Sequence, residues 1–337
     1  MSQNHRPDRR ETLASGLALA ALAGAPAKAA SSKSFKMFDG HLHLISDDLA
    51  RYPMATGPSS PGADPPGTPR PGDSISAGKV HILPTTEQGI KWMDDAGVET
   101  AAAVQRRGSY GFDNSYILDA SDAHPARFHA VVVLDAEDPA TPGQLASMVQ
   151  SHKIAGLRIT GGREKDGSFP WLDSEAALKT WAAAERLGLT MNVLYAPQRF
   201  SAEALAAILR VARKFSRTTI VIDHLGWPEV AGAPGYGFAN FPPGLIRQRN
   251  VHFKFSTSNL NIVEEGKIPT QDFMRYTVRL LGAHRILWGS DVGSGGGEYA
   301  ETVQRARHAT ATLTPAEQRQ VLRETGFSVF KRGGKLS

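Results

Sequence analysis

The chain has no cysteine among its 337 residues, which excludes disulfides, thiol nucleophiles and Cys-based zinc sites together. Past residue 30 it has no long uninterrupted apolar run, so no membrane-spanning helix is expected there. Its basic residues are scattered rather than gathered into a stripe interleaved with aromatics, so nucleic acid is not suggested as a partner. No internal repeat of solenoid length is present. What the chain does have is 41% hydrophobic content with 33 glycines and 21 prolines, the balance of a globular protein with well-developed loops.

The segment "RPDRRETLASGLALAALAGAPAKAASS" joins a basic start to a short apolar run and an Ala27-x-Ala29 cleavage pattern. It reads as a signal peptide over residues 1–30. Arg9 and Arg10 ahead of Leu13 resemble a twin-arginine signal, although Thr12 stands where a large apolar residue is usual, and an ordinary secretory signal is the plainer alternative. Export to the periplasm by way of this segment is the expected localisation, with no membrane anchor left after cleavage. Removing it takes four basic and two acidic residues from a formal charge of +5, leaving a mildly positive chain.

From residue 35 to about 332, short apolar runs alternate with helix-like segments, the pattern of a parallel sheet built from βα units. There are eight such runs: "FKMFDGHLHL", "ETAAAVQ", "RFHAVVVLD", "AGLRIT", "LTMNVLY", "TTIVIDHL", "NVHFKFS" and "RILWGSD". Between them, "SEAALKTWAAAERLG" and "SAEALAAILRVARKF" carry apolar residues at helical spacing, and Gly188 closes the first. Eight parallel strands with intervening helices close into a barrel, so a single-domain α/β fold of the distorted (β/α)8 TIM-barrel type is expected. The Pro/Gly-rich stretch at 52–74 reads as a long loop after the first strand, either a tolerated insertion or a lid over the barrel mouth.

The first run contains Asp39-x-His41-x-His43. Strict alternation along a strand puts Met37, Asp39, His41 and His43 on one face and Phe38, Leu42 and Leu44 on the other. Burying three polar groups on one face costs several kcal/mol unless they share partners or a purpose. A hydrogen-bonded structural cluster and a metal or catalytic site both satisfy that requirement.

In a barrel the strand C-terminal ends converge on one mouth, and polar residues stand at those ends here. His41 and His43 end the first run, Arg158 lies in the fourth, Asn192 and Tyr195 in the fifth, His224 ends the sixth, Lys254 is in the seventh and Asp291 closes the eighth. The candidate catalytic set is Asp291, His224, His41 and His43. Asp291 is the candidate base for an attacking water, and His224 would orient that water or polarise a carbonyl. Arg158 and Lys254 are candidates for holding a substrate carboxylate or ring oxygens, with Tyr195 and Arg199 behind them. Arg158 also reads as a partner for Asp135 or Asp223 in a buried ion pair.

Asp39-x-His41-x-His43, "VIDHLGWPE" around His224 and "RILWGSD" ending at Asp291 resemble the amidohydrolase superfamily. With "FDNSYILDA", "GLRIT" and "VHFKFS" the chain resembles its amidohydrolase-2 branch, which contains pyrone-dicarboxylate and sugar lactonases. The resemblance implies hydrolysis of an ester, lactone or amide, and a small anionic or sugar-derived lactone as substrate. Metal-binding members place a histidine on the fifth strand and two-metal members a lysine on the fourth; this chain has neither, so a two-metal site is not expected. One zinc on His41, His43 and Asp291 and a metal-free mechanism are both compatible with the resemblance, because lactonase relatives can dispense with the metal. A zinc-dependent decarboxylase of an acidic ring-cleavage product and a non-catalytic periplasmic binding barrel are the competing expectations.

Overall fold

The computed structural model describes residues 35–55, 75–76, 79–80, 83–196, 199–294 and 297–331. The signal-like segment 1–30 and positions 56–74 of the Pro/Gly-rich loop lie outside the described residues. Eight strands, β1 (Met37–Leu42), β2 (Val98–Val104), β3 (Phe128–Val133), β4 (Gly156–Gly162), β5 (Thr190–Ala196), β6 (Ile220–Ile222), β7 (Val251–Ser256) and β8 (Ile286–Gly289), form one sheet in chain order. Every ladder between neighbours is parallel, and helices connect the strands, giving a (β/α)8 barrel.

The helices start and stop where their sequence dictates. Ser174 accepts a hydrogen bond from Ala177 N to cap the helix Glu175–Arg186, and Gly188 follows its end in the left-handed region with φ of 67°. Ser201 caps Ala202–Lys214 in the same way, and that helix buries Leu205, Ile208, Leu209 and Ala212 against the sheet. Among the described residues no helix is long and apolar enough to cross a membrane.

The barrel interior is layered. Phe38, Ala102, Val104, Val131, Ala155, Val221 and Leu287 form an apolar lower tier, closed by Val329 and Phe330 from the end of the described chain. The Phe38 and Phe330 rings lie 6.1 Å apart, nearly parallel. Alternate residues such as Ala130 and Val132 face outward and join the larger core between strands and helices. Above the apolar tier the inward positions turn polar.

The wall and the closure of the barrel differ. β4 and β5 pair over seven consecutive residues, from Gly156↔Thr190 to Gly162↔Ala196. Among the described residues no ladder joins β8 to β1. The two strands nonetheless abut, because a Cβ on Gly40 would fall 2.7 Å from the Trp288 carbonyl oxygen and one on Gly289 would fall 2.5 Å from His41 Cβ. Only glycine permits that approach.

Candidate active site

β1 does not alternate strictly. Its register against β2 shifts between Asp39 and Leu42, so Phe38 packs in the inner apolar tier while Asp39 turns to the β1–β8 seam. The expectation that Asp39 shares the face of His41 and His43 is therefore corrected. Asp39 Oδ1 accepts from His41 N at 2.9 Å and Ser290 N at 2.8 Å, and Oδ2 accepts from the Tyr299 hydroxyl at 3.1 Å. The sequence missed this irregularity because it arises from the close contact with β8, a partner distant in the chain.

His41, His43 and Asp291 converge beside this seam. His41 Nε2 lies 3.1 Å from His43 Nε2, and Asp291 Oδ1 lies 3.7 Å from the first and 3.6 Å from the second. His43 Nδ1 donates to the Val104 carbonyl at 2.8 Å, which leaves its Nε2 lone pair facing the other two groups. His41 Nδ1 faces the Lys254 ammonium at 3.2 Å, so it accepts there and its Nε2 carries the proton. Burial, with Lys254 and His43 next, pushes the His41 pKa well below its ordinary value, and burial lowers that of His43 against the pull of Asp291. Both imidazoles are neutral at pH 7. Burial by itself would raise Asp291, but His224, His43 and Arg158 hold its carboxyl well below the usual range. Two neutral imidazoles and a carboxylate are the protonation states a metal ion requires. The three atoms enclose a point about 2 Å from each, the length of zinc bonds to imidazole nitrogen and carboxylate oxygen. The residues present therefore fit a single zinc with an open position, once the His41 proton sits on Nδ1 and Lys254, whose pKa burial lowers, gives up the proton that faces it.

A buried ion network underlies this triangle. Asp223 accepts from Arg158 Nε at 2.9 Å and from Lys254 Nζ at 2.8 Å. Burial would raise the Asp223 pKa, but Lys254 and Arg158 together lower it. Arg158 thus takes the ion-pair alternative with Asp223. Lys254 is fully buried, with its ammonium on Asp223 and His41 and 5.5 Å from the Phe330 ring. The expectation that Lys254 grips substrate is corrected by that position: it supports His41 from below.

His224 and Asp291 both have left-handed backbones, each with φ of 51°, an unusual conformation for residues with side chains. Residues of and after β7 hold them there. Ser256 Oγ bonds His224 Nδ1 at 2.7 Å, Asn259 Nδ2 donates to the His224 carbonyl at 2.9 Å, and Ser258 Oγ donates to Asp291 Oδ2 at 3.1 Å. The backbone N–H of Asp291 donates to the His41 carbonyl at 2.8 Å. His224 Nδ1 thereby comes within 3.8 Å of Asp291 Oδ2, and its ring packs 4.4 Å from that of Trp227. Burial lowers the His224 pKa despite Asp291 and Asp223, so it too is neutral.

Sequence reasoning did not single out Ser256, Ser258, Asn259 or Ser290, whose types are common and whose positions follow only from the turns around them. Tyr195 and Arg199 lie elsewhere in the barrel mouth, on a cavity of about 330 Å³ shared with Arg163, Phe169, Glu203 and Glu229. The Tyr195 hydroxyl donates to the Gly226 carbonyl, and burial raises its pKa beyond the ordinary phenol range. Buried polar atoms without a hydrogen-bond partner collect on the inner wall: both amide atoms of Asn192, Thr160 Oγ1 and, after β6, Trp227 Nε1. Asn192 is fully buried and pairs with Arg158 across the β4–β5 ladder.

The amidohydrolase family model matches residues 38–330. An L-fucono-1,5-lactonase from Burkholderia ambifaria is 28% identical over 202 residues, which is 58% of this chain and 65% of that protein, so the match spans less than two thirds of the relative. Among solved structures, a protein assigned as a 2-pyrone-4,6-dicarboxylic acid hydrolase from Pseudomonas putida superposes with a TM-score of 0.63 at 18% identity, covering 90% of this chain and all of that one (100%). The 5-carboxyvanillate decarboxylase of Sphingomonas paucimobilis superposes with a TM-score of 0.61 at 17% identity, covering 88% of this chain and 99% of that one. At these identities the two structures establish the shared barrel. The family match extends over nearly all of the barrel and takes in every member of the histidine and carboxylate cluster: the chain belongs to the amidohydrolase family, in its amidohydrolase-2 branch.

Proposed function

We propose that the protein is a lactonase that opens a small sugar-derived lactone by attack of water at the barrel mouth. The observation that carries this reading is the convergence of His41 Nε2, His43 Nε2 and Asp291 Oδ1 within 3.7 Å of one another. Family membership and the lactonase relative support the bond type. The sugar-derived class is supported by the unpartnered neutral groups of Thr160, Asn192 and Trp227, which suit hydroxyls. A dicarboxylate calls for unshared cations, whereas Arg158 and Lys254 already share Asp223.

His41, His43 and Asp291 would hold a zinc, which when bound would supply Lewis acidity toward a carbonyl or water. The chain's own groups do the rest. Neutral His224 donates from its free ring nitrogen toward the carbonyl oxygen as charge develops on it. Water forms the new bond to the carbonyl carbon, the ring C–O bond breaks, and the proton lost by water goes to the departing alkoxide by way of Asp291. A carboxylate held at so low a pKa is a weak base toward bulk water but, once protonated, a ready acid toward an alkoxide. Arg158 turns its guanidinium toward the ring substituents while its Nε stays on Asp223.

Each opened lactone yields a hydroxy acid that ionises at neutral pH, so a pH indicator reads turnover directly. The test is a panel of sugar 1,4- and 1,5-lactones and pyrone dicarboxylate, with zinc supplied and with chelator. Acid release from sugar lactones is expected. Absence of acid release from every lactone with zinc present sinks the reading, and carbon dioxide release from aromatic carboxylates instead establishes the decarboxylase alternative. Saturable binding without turnover establishes a binding barrel.

A further inference from the structure

We infer that Asp39 is a positioning residue, a carboxylate clip that fastens β1 to β8 where no backbone ladder does and thereby sets the spacing between His41 and Asp291. The inference deepens the proposed function, since it rests on that pair belonging to the reacting centre. One oxygen of Asp39 holds a backbone N–H from each strand, His41 N at 2.9 Å and Ser290 N at 2.8 Å. From the other side, Asp291 N at 2.8 Å and Ser290 Oγ at 3.1 Å both donate to the His41 carbonyl. Both backbone polar groups of His41 are therefore tied into the seam, and the residue after Ser290 is Asp291 itself. The second oxygen of Asp39 takes the Tyr299 hydroxyl at 3.1 Å, which braces the clip against the helix Tyr299–Thr310.

This accounts for the first polar residue of Asp39-x-His41-x-His43. The register shift that turns Asp39 away from the histidine face frees its carboxylate to reach across to Ser290. Glycines at 40 and 289 allow the strands near enough for a side chain as short as aspartate to bridge them. An error near 1 Å in the placement of a reacting group costs on the order of a hundredfold in rate. A purely structural Asp39 would change stability and leave the rate of the folded fraction alone.

The test compares Asp39→Asn, Asp39→Ala and Asp39→Ser in the full chain, by kcat and KM on a lactone the wild type opens and by crystal structures. Asn keeps the acceptor oxygen, so Asp39→Asn is expected to retain kcat within about threefold, while Asp39→Ala loses about a hundredfold in kcat with KM little changed. In the Asp39→Ala crystal structure the His41 Nε2 to Asp291 Oδ1 separation should exceed the present 3.7 Å. A folded Asp39→Ala protein with wild-type kcat, or with that separation unchanged, overturns the inference. Should Asp39→Ala fail to fold, Asp39→Ser decides, because its hydroxyl is too short to bridge both strands: a kcat loss of about tenfold supports the clip, and an unchanged kcat overturns it. A wild type that opens no lactone defeats the proposed function alone, because the crystallographic comparison still decides the clip.

Discussion

The β4–β5 wall and the β1–β8 seam solve the same structural problem by opposite means. Along the wall, seven consecutive paired residues hold the strands together through the backbone, and the inward amide of Asn192 and hydroxyl of Thr160 are left without partners. At the seam the described residues form no ladder, and the side chains of Asp39 and Ser290 add their connections to the backbone bond from Asp291 N to the His41 carbonyl. Where backbone pairing is complete, side chains are released to meet a ligand. Where no ladder forms, side chains complete the joining, and the groups they join are the ones that must be placed most accurately.

The largest expected effect falls at the seam. Asp291→Asn keeps the shape of the residue but removes the charge that the histidines and Arg158 surround, and with it the proton acceptor. A loss near ten-thousandfold in kcat is expected, roughly 5.5 kcal/mol of transition-state stabilisation, with the circular dichroism spectrum unchanged. A loss below tenfold would remove Asp291 from the chemistry. Next comes Lys254→Met, which takes one cation from fully buried Asp223 and the donor from His41 Nδ1. Breaking a buried pair costs about 3–5 kcal/mol, so the melting temperature should drop by roughly 10 °C. If Lys254 gripped substrate instead, KM would rise and the melting temperature would hold.

The contrast between wall and seam also marks what the sequence could reveal. Each of the eight apolar runs overlaps a strand, because short apolar runs between turn signals declare themselves locally. His41, His43, His224 and Asp291 could be gathered from their places at strand ends, since barrel topology brings those ends together. The bulge that redirects Asp39 and the left-handed backbones of His224 and Asp291 depend on contacts between distant parts of the chain. Lys254 shows the same limit: its strand position was legible, but whether its ammonium pointed at substrate or at Asp223 was decided by the interior packing above Phe330.

Two polar side chains of the inner wall separate ligand recognition from mere burial. The ladders pair Asn192 with Val221 and Val221 with His252, and His252 Nδ1 also lacks a partner. Burial first, and Arg285 second, push the His252 pKa down to about 4. Its folded value lies below the unfolded value near 6.5, so its contribution to stability is complete above pH 6.5 and is lost as pH falls toward 4. By urea unfolding, the wild type should lose about 2.5 kcal/mol from this residue between pH 7 and pH 4.5, and His252→Leu should lose that much less. Parallel pH profiles for the two proteins would show that His252 titrates alike in both states.

Asn192 should behave differently, and the smallest effect is the sharpest test of the wall. With no protein partner, its amide carries a burial cost that a ligand hydroxyl can recover. Asn192→Leu should therefore leave the melting temperature unchanged or raise it slightly. Loss of one hydrogen bond to a substrate hydroxyl should raise KM about tenfold, near 1.4 kcal/mol, with kcat almost constant. The opposite pattern, lower stability with unchanged KM, would mean that the amide serves the fold, and the division between a wall that recognises and a seam that positions would fail.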